Sequence, residues 1–375
     1  MEVGDDGVLR HYGIEHAAEA FNMWKLPVDG KGEPVPFLKR WRADDARRIV
    51  DSLVYKRAED CRPNEATLFA GFAYSKLPPC ENAAAVEQFK DILRAVSGDE
   101  DSVYEYNLKW LARLVQDPFN KAGTAVIFIN KAQGTGKDTI ALWMKKVLGN
   151  HVAHYNDEAA YWSPYDTKKE GAILVYLEEV GSGAAKAKSA ELKARLTSDS
   201  HIVNPKGVKA YDIPNMASVL MTTNLTDPVR VEGTDRRFFL SYGSNRLMGL
   251  ADYWSAFYSE SRIHQQEPNP AWLVPIGRFL ESVDLSVFNP RVMPESDYKK
   301  DIVAMSEASE EAFIKQWCGS NVPMLDLYEQ YRAWCIANNR PYATSSIVFG
   351  KNLMAYPDEY TKTRTARGVV YSRMA

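Results

Sequence analysis

The stretch from Ile127 to Thr139 constrains the fold more than any other part of this chain. An apolar run leads there into a short glycine loop that ends in Lys-Asp-Thr. The run Val126–Ile129 has the continuous apolar character of a strand buried in a parallel sheet. After the loop, apolar residues recur at helical spacing, at Ile140, Trp143, Met144 and Val147. The loop is therefore predicted to lie at a helix N-terminus, where unpaired N–H groups and the positive end of the helix dipole favour a polyphosphate.

The loop residues are of the types that hold phosphates. Gly134 and Gly136 allow the close backbone approach that a Cβ would block, and Lys137 supplies a point charge for the outer phosphates. A chance glycine turn is the alternative, but the flanking strand and helix are those that a nucleotide loop requires. We therefore predict an ATP-binding segment made of Gln133, Gly134, Thr135, Gly136, Lys137, Asp138 and Thr139.

This loop departs from the usual pattern at two positions. Lys131 stands where the first glycine is expected, and Asp138 stands where a Ser or Thr hydroxyl normally serves Mg²⁺. Two alternatives stay open at this point: Thr139, one place later, takes over the magnesium contact, or Asp138 reaches the metal directly or through water.

A second strand, within Ala172–Val180, ends in the two carboxylates Glu178 and Glu179, about forty residues beyond Lys137. Buried carboxylates are costly unless they face a metal or a partner. Glu178 is predicted to orient the magnesium shell and Glu179 to polarise the attacking water. The alternative is a surface strand end with two solvated acids. His151 and His154, just upstream, are interpreted as ordinary loop histidines and not as a metal pair, since no third ligand is near in sequence.

Two further polar sites complete the predicted catalytic set. Asn224 ends the apolar strand Val219–Asn224 and is placed to hold the attacking water or the terminal phosphate, with a strand cap as the alternative. Arg236 and Arg237 precede another strand, and the planar guanidinium fork suits developing phosphoryl charge, especially when a neighbouring subunit supplies it. One of the two arginines is alternatively a structural ion-pair partner.

Possible nucleic-acid contacts are local. The net charge is −3 and the pI is about 6.1, so there is no global basic signature. Two β-like runs flank Asn-Pro-Lys-Gly, which predicts a hairpin with Lys206 and Lys209 at its tip. Repeated around a ring, such a tip would track a phosphate backbone. The four cysteines are far apart and predict neither a zinc ribbon nor a disulfide framework. No run is long enough to span a membrane.

The chain is predicted to be α/β, with a mostly parallel sheet in a P-loop core. We predict four domains: an α-helical N-terminal domain at 1–105, the ATPase core at 106–245, a helical lid or linker at 246–306, and a winged-helix-like domain at 307–375. Within the N-terminal domain, helices are predicted over 64–77 and 84–96.

Five features of the sequence resemble superfamily 3 helicases in their order and spacing. They are the glycine loop, the acidic pair, the Lys206-Gly207 hairpin, the strand ending at Asn224 and the Arg236-Arg237 pair. They are most similar to the helicase half of phage primase-polymerases and of phage and poxvirus-type primase-helicases. The resemblance implies an AAA+-type core, a ring of usually six subunits, ATP and Mg²⁺ between subunits, single-stranded DNA as partner, a possible primase or polymerase module, and a bacterial host cytoplasm if the protein is phage-encoded.

The function expected from these observations is an ATP-driven DNA helicase of phage or mobile-element replication. Two alternatives come from other classes. One is a P-loop kinase acting on a small molecule, which the paired arginines and the hairpin disfavour. The other is an origin-binding or scaffold protein with a nucleotide site that does not hydrolyse.

Overall fold

A computed structural model describes residues 2–3, 9–10, 25–26, 35–46, 52–180, 184–204, 210–226, 228–230, 235–295, 309–338, 345–355, 359–365 and 368–374. The chain divides into two compact units. The first comprises residues 1–229 and 236–295, and the second comprises 230–235 and 296–375. No helix among the described residues is both long enough and apolar enough to cross a membrane.

A five-stranded parallel sheet forms the centre of the first unit. Its strands are β1 (Ala125–Ile129), β2 (Val152–Tyr155), β3 (Leu174–Leu177), β6 (Ser218–Thr223) and β7 (Phe238–Tyr242); β4 (Ser200–Val203) and β5 (Tyr211–Pro214) form a separate antiparallel hairpin. The order across the sheet is β7, β1, β6, β3, β2. Every residue of β1, β3 and β6 is buried, which explains their uninterrupted apolar or small side chains. The predicted α/β class with a parallel sheet is confirmed.

Strand β6 lies between β1 and β3, and its register aligns the carboxyl ends of all three strands. Thr223 pairs with Ile129 on one side, and Met221 pairs with Leu177 on the other. The residues that follow the strands are Asn130, Glu178 and Asn224. Because parallel strands end at the same edge of a sheet, three segments far apart in the chain meet at this edge.

Helices pack on this sheet and on one another. They are α1 (Ala83–Val96), α2 (Asp101–Gln116), α3 (Lys137–Leu148), α4 (Ser189–Thr197), α5 (Ala251–Ser261) and α6 (Pro270–Ser282), with shorter helices at Phe37–Ala43, Glu158–Trp162 and Ala184–Ala187. Single 3₁₀ turns lie at Ala58–Asp60, Tyr74–Lys76 and Gly149–His151.

The predicted boundaries at 105/106 and 245/246 do not separate compact units. The first falls inside α2, and the segment after the second contributes α5 and α6 to the first unit. The physical reason is a shared core, in which Phe89 of α1 and Trp110 of α2 belong to the same buried cluster as Phe128 of β1. The indole rings of Trp143 in α3 and Trp272 in α6 are stacked, with centroids 6.1 Å apart.

The helix predicted over 64–77 is wrong. This segment contains the strand Glu65–Thr67, which pairs in parallel with Ser52–Val54, and then a single 3₁₀ turn at Tyr74–Lys76. Gly71 has φ +79°, which a helix cannot continue through. The aromatic side chains of this segment pack around the imidazole of His151, with ring centroids at 4.8 Å for Phe69 and 6.3 Å for Phe72.

The described residues of the first unit also include two pairs of two-residue strands. Glu2–Val3 pairs with Leu9–Arg10, and Lys25–Leu26 pairs with Val35–Pro36. The N-terminal α-helical domain stays a prediction, since most residues before 52 lie outside the described ranges.

The described residues of the second unit form three helices and a three-stranded antiparallel sheet. The helices are α7 (Ser309–Gln316), α8 (Met324–Ala337) and α9 (Ser346–Leu353), and the strands are β8 (Val322–Pro323), β9 (Tyr360–Thr365) and β10 (Gly368–Arg373), in the order β8, β10, β9. Its core includes Phe313, Leu327, Tyr331, Phe349 and Tyr360. The winged-helix-like character predicted for residues 307–375 stays a prediction.

Candidate functional site

The glycine loop connects β1 to the N-terminus of α3. Gly136 is the N-cap residue of α3 with φ +91°, and Gly134 has φ +70°, so both glycines adopt a backbone conformation that L side chains rarely adopt. The loop is tethered at its start by Asn130, whose side chain accepts a hydrogen bond from the N–H of Ala132 and donates to the carbonyl of Gly243. The structure thus presents the N-terminus of a twelve-residue helix at the carboxyl edge of the sheet.

The residues of the loop differ in exposure. Lys131, Gln133 and Gly134 are exposed, whereas Thr135 and Lys137 are 2% and 4% exposed. The hydroxyl of Thr135 is buried and has no hydrogen-bond partner among the residues that the structure describes. An orphaned buried hydroxyl is costly unless a ligand satisfies it, so this atom fits a loop that closes around an acceptor-rich group.

Asp138 and Thr139 lie on different sides of α3. The Asp138 carboxylate is 3.4 Å from Lys137 Nζ and accepts a 3.4 Å hydrogen bond from the Tyr176 hydroxyl on β3. The Thr139 hydroxyl instead lies 3.4 Å from the Tyr258 hydroxyl on α5. Asp138 therefore faces the strand that carries the acidic pair, and Thr139 faces away from it.

Glu178 follows β3 and is held by His154 of the neighbouring strand β2. The distance from His154 Nε2 to Glu178 Oε2 is 2.6 Å, and Lys145 Nζ is 3.0 Å from His154 Nδ1. The imidazole is stacked on the Tyr176 ring, with centroids 4.7 Å apart and 8° between the planes. Burial and the charge of Lys145 lower the pKa of His154, outweighing the Glu178 carboxylate, so the ring is neutral near pH 7.

Glu179 is exposed and has φ +49°, an uncommon backbone conformation for a residue with a side chain. Its N–H donates to the Thr222 hydroxyl on β6 at 3.3 Å, which holds the strained turn against the adjacent strand. Strain of this kind costs about 1–3 kcal/mol and is concentrated at functional sites. The two acids are thus separated: Glu178 is bonded to His154, and Glu179 is exposed at the sheet edge.

Asn224 directly follows β6, between the glycine loop and the acidic pair. Its side-chain oxygen is buried and, within the described part of the chain, has no hydrogen-bond partner. The preceding Thr223 hydroxyl donates to the Val180 carbonyl and accepts from the Leu225 N–H, so the turns after β3 and β6 are bonded together. The structure therefore brings the predicted residues of the loop, the acidic pair and Asn224 to one edge.

Arg236 and Arg237 lie at the opposite, amino-terminal edge. They immediately precede β7, and the Arg237 carbonyl accepts a hydrogen bond from the N–H of Ala125 at the start of β1. Five residues of strand, about 16 Å at about 3.3 Å per residue, separate this edge from the loop. The two arginines are not part of the loop site of their own chain. Lys206 and Lys209 lie outside the described residues, although the paired strands β4 and β5 on either side of them form the expected hairpin.

A cavity of about 620 Å³ is also at the amino-terminal side of the sheet, and none of the predicted ATP-binding residues line it. Val175 and Val219 of β3 and β6 contribute to its floor, and Arg195 and His201 to its wall. Ion pairs of Arg195 with Glu191 and of Lys169 with Asp166 already neutralise the charges around it.

Sequence reasoning missed four residues of the site: Lys145, His154, Tyr176 and Tyr258. His154 was interpreted as a loop residue, but it belongs to β2. The signal that could have found it is the position of a histidine in a short strand that directly precedes the acidic strand. Among the described residues, no group of three or more His, Cys, Asp or Glu side chains could hold a metal ion by itself.

Comparisons with known proteins agree with this architecture. A family of unknown function, DUF5906, matches residues 128–237, which include the loop, the acidic pair, Asn224 and both arginines. A DNA primase-polymerase from Nitratiruptor phage NrS-1 is 28% identical over 204 residues, which is 54% of this chain and 27% of the primase-polymerase. The chain is therefore related in sequence to a part of that phage protein.

Solved structures of the C-terminal region of NrS-1 share the fold. One apo structure gives a TM-score of 0.60 at 19% identity and covers 82% of this chain and 80% of that chain. An A-form apo structure gives a TM-score of 0.61 at 19% identity and covers 83% and 80%. At this identity, the similarity establishes the fold and not the activity.

Proposed function

We propose that the chain is the ATPase and helicase part of a phage or mobile-element DNA replication protein. The observation that carries this proposal is the convergence of three separate segments at one sheet edge. The glycine loop follows β1, the acidic pair follows β3, and Asn224 follows β6. The similarity to part of a phage primase-polymerase supports the replication setting.

Each residue at this edge has a role that its surroundings support. Lys137 and the N–H groups of the loop hold the phosphates of ATP, and the orphaned Thr135 hydroxyl gains a partner there. Glu179, exposed at the edge, polarises the attacking water. The unpartnered Asn224 oxygen accepts a hydrogen bond from that water and positions it.

The carboxylates of Asp138 and Glu178 are the side chains that fit Mg²⁺. Both are connected to Tyr176, Asp138 by a hydrogen bond and Glu178 through the stacked His154, and carboxylate oxygens suit this hard cation. Thr139 is directed to Tyr258 instead, so Asp138 is the better candidate. Bound with ATP, Mg²⁺ would neutralise charge on the outer phosphates.

Arg236 and Arg237 act on a neighbouring subunit in this proposal. Their position at the sheet edge opposite the loop removes them from their own ATP site. A ring, of six subunits by the superfamily 3 resemblance, would bring this edge to the next subunit's nucleotide, where a guanidinium stabilises transferring phosphoryl charge.

Single-stranded DNA is the proposed partner. Lys206 and Lys209 at the tip of the β4–β5 hairpin would contact the phosphate backbone. The second unit is proposed to be a winged-helix-like DNA-binding domain, with Lys351 and Arg364 exposed on it. A primase or polymerase module as partner and the cytoplasm of a bacterial host as location are parts of the same proposal, and the similarity to part of a phage primase-polymerase supports them.

ATPase assays with and without single-stranded DNA test the proposal. Lys137→Ala should lower ATP hydrolysis at least about 100-fold, because it removes a charge-assisted donor from the site. Lys131→Ala is the matched control: this lysine is in the same loop but exposed, and its variant should stay within about twofold of the wild type. Absence of ATPase activity in the wild-type chain, with and without DNA, would refute the proposal.

A second candidate is a nucleotide-binding protein that does not hydrolyse ATP. The contact of Glu178 with His154 and of Asp138 with Lys137 favours it, because both carboxylates are already engaged. Equilibrium binding of ATP without turnover, at DNA concentrations that saturate the protein, would select this candidate.

A further inference from the structure

We propose that His154 is a positioning residue: held by Lys145 and Tyr176, it fixes one oxygen of the Glu178 carboxylate and leaves the other for the divalent cation that accompanies ATP. This inference rests on the proposed function and deepens it.

The hydrogen-bond geometry selects a single tautomer of the imidazole. A lysine ammonium can only donate, so Lys145 Nζ, 3.0 Å from Nδ1, requires Nδ1 to be the acceptor. Nε2 then carries a proton and donates it to Glu178 Oε2 at 2.6 Å, since a carboxylate oxygen can only accept. Lys145 and Glu178 therefore select the same tautomer of His154.

The orientation of the imidazole plane is fixed independently by Tyr176. The two rings are nearly parallel, with 8° between their planes. The Tyr176 hydroxyl in turn contacts Asp138 of α3 and the Thr222 hydroxyl of β6, each at 3.4 Å. Tyr176, whose ring supports His154, is thus hydrogen-bonded to α3 and to β6.

This arrangement has a direct consequence for Glu178. Within the described part of the chain, Oε2 accepts the hydrogen bond from His154, and no protein donor engages Oε1. A carboxylate bonded through one oxygen loses its rotational freedom and keeps the second oxygen for a cation. Partners that orient a ligating carboxylate typically change metal affinity 10- to 100-fold when they are replaced.

Two substitutions separate positioning from mere packing. His154→Gln keeps an N–H donor at a reach similar to Nε2, whereas His154→Phe keeps a flat ring on Tyr176 and removes the donor. We expect His154→Phe to bind a fluorescent ADP analogue as the wild type does in EDTA, but to need about 10- to 100-fold more Mg²⁺ for the magnesium-dependent gain in affinity. His154→Gln should recover most of this loss.

The tautomer provides a second readout that is independent of activity and of nucleotide. Correlation NMR spectra of selectively ¹⁵N-histidine-labelled full-length protein should show His154 with the proton on Nε2. Lys145→Met should weaken the preference without abolishing it, since Nδ1 loses its donor while Nε2 keeps the Glu178 carboxylate as acceptor. Lys146→Met is the control: this neighbouring lysine donates to the Gln265 and Gln266 carbonyls and does not contact the ring.

The outcomes distinguish this inference from the proposed function. If the wild type binds the analogue with no effect of Mg²⁺, or does not bind it, the proposed function fails and the inference with it. If the wild type responds to Mg²⁺ and His154→Phe responds equally, only the inference fails. It also fails if Phe and Gln variants lose Mg²⁺ response equally, or if the NMR spectrum shows the proton on Nδ1.

Discussion

Replacing Gly136 by alanine should destabilise the first unit more than the same change at Gly134, although both glycines have positive φ. A Cβ on Gly136 would lie 2.8 Å from Ile92 Cγ2 and 3.1 Å from Trp254 Cη2, whereas a Cβ on Gly134 would meet nothing within 4 Å. The first position lies between α1, α3 and α5, and the second opens to solvent.

The magnitudes follow from these two geometries. An alanine in the left-handed region costs about 1–2 kcal/mol, and overpacking a buried site adds about 1–3 kcal/mol. Gly136→Ala should therefore lower the free energy of unfolding by about 2–5 kcal/mol. Gly134→Ala should lower it by the backbone cost alone. The free energies of unfolding of the two variants should differ by about 1–3 kcal/mol. This difference measures the overpacking at Gly136 best, because alanine lowers the entropy of the unfolded chain equally in both variants.

Urea unfolding without nucleotide, followed by tryptophan fluorescence, measures this difference as a shift in midpoint. Ile92→Ala removes the nearest obstructing atom, so Gly136→Ala should cost less in that background, approaching the cost at Gly134. Equal destabilisation by the two glycine variants would refute the reasoning, and so would a Gly136→Ala cost that Ile92→Ala leaves unchanged.

Three further predictions address the metal, the pH dependence and the assembly. Asp138→Ala should weaken the magnesium-dependent part of nucleotide affinity about tenfold or more, because Asp138 faces β3. Thr139→Val should change this affinity little, because Thr139 faces Tyr258 instead. The reverse ranking of the two variants in a Mg²⁺ titration would contradict the assignment of Asp138 to the metal. Burial lowers the pKa of His151 below 6.5, so the unfolded chain binds more protons below that pH. The free energy of unfolding should therefore decrease as the pH falls below about 6.5, and His151 should contribute at most about 1.4 kcal/mol of this decrease per pH unit. Denaturation series from pH 7 to 5 should show a smaller decrease for His151→Phe than for the wild type. An unchanged slope would exclude His151 as the source of the decrease. Mixing inactive Lys137→Ala subunits with an inactive variant that lacks Arg236 and Arg237 should restore part of the ATPase activity. At one kind of interface, the intact loop of the second variant then faces the intact arginines of the first. No recovery of activity at any mixing ratio would contradict a site shared between subunits.

The strand, loop and helix from Val126 to Val147 could be predicted because their signals are local. A continuous apolar run, two glycines at positive φ and a helical repeat all act within a few residues of one another. The same reasoning failed at 64–77, where Gly71 at positive φ and the packing of aromatic residues around His151, from a distant part of the chain, exclude a continuous helix. The packing of α1 and α2 is equally hard to predict, since their apolar faces are evident in the sequence but the surface that covers them is not.

The sequence by itself determined that a glycine loop precedes a helix, that acidic and amide residues end two apolar strands, and that the core is a parallel sheet. Only the tertiary structure decided that β6 lies between β1 and β3, that Asp138 and not Thr139 faces the acidic pair, and that His154 holds Glu178. The physical reason is that the order of parallel strands depends on how the connecting helices pack across the sheet. A contact such as the 2.6 Å hydrogen bond between residues 24 positions apart exists only after that packing is complete.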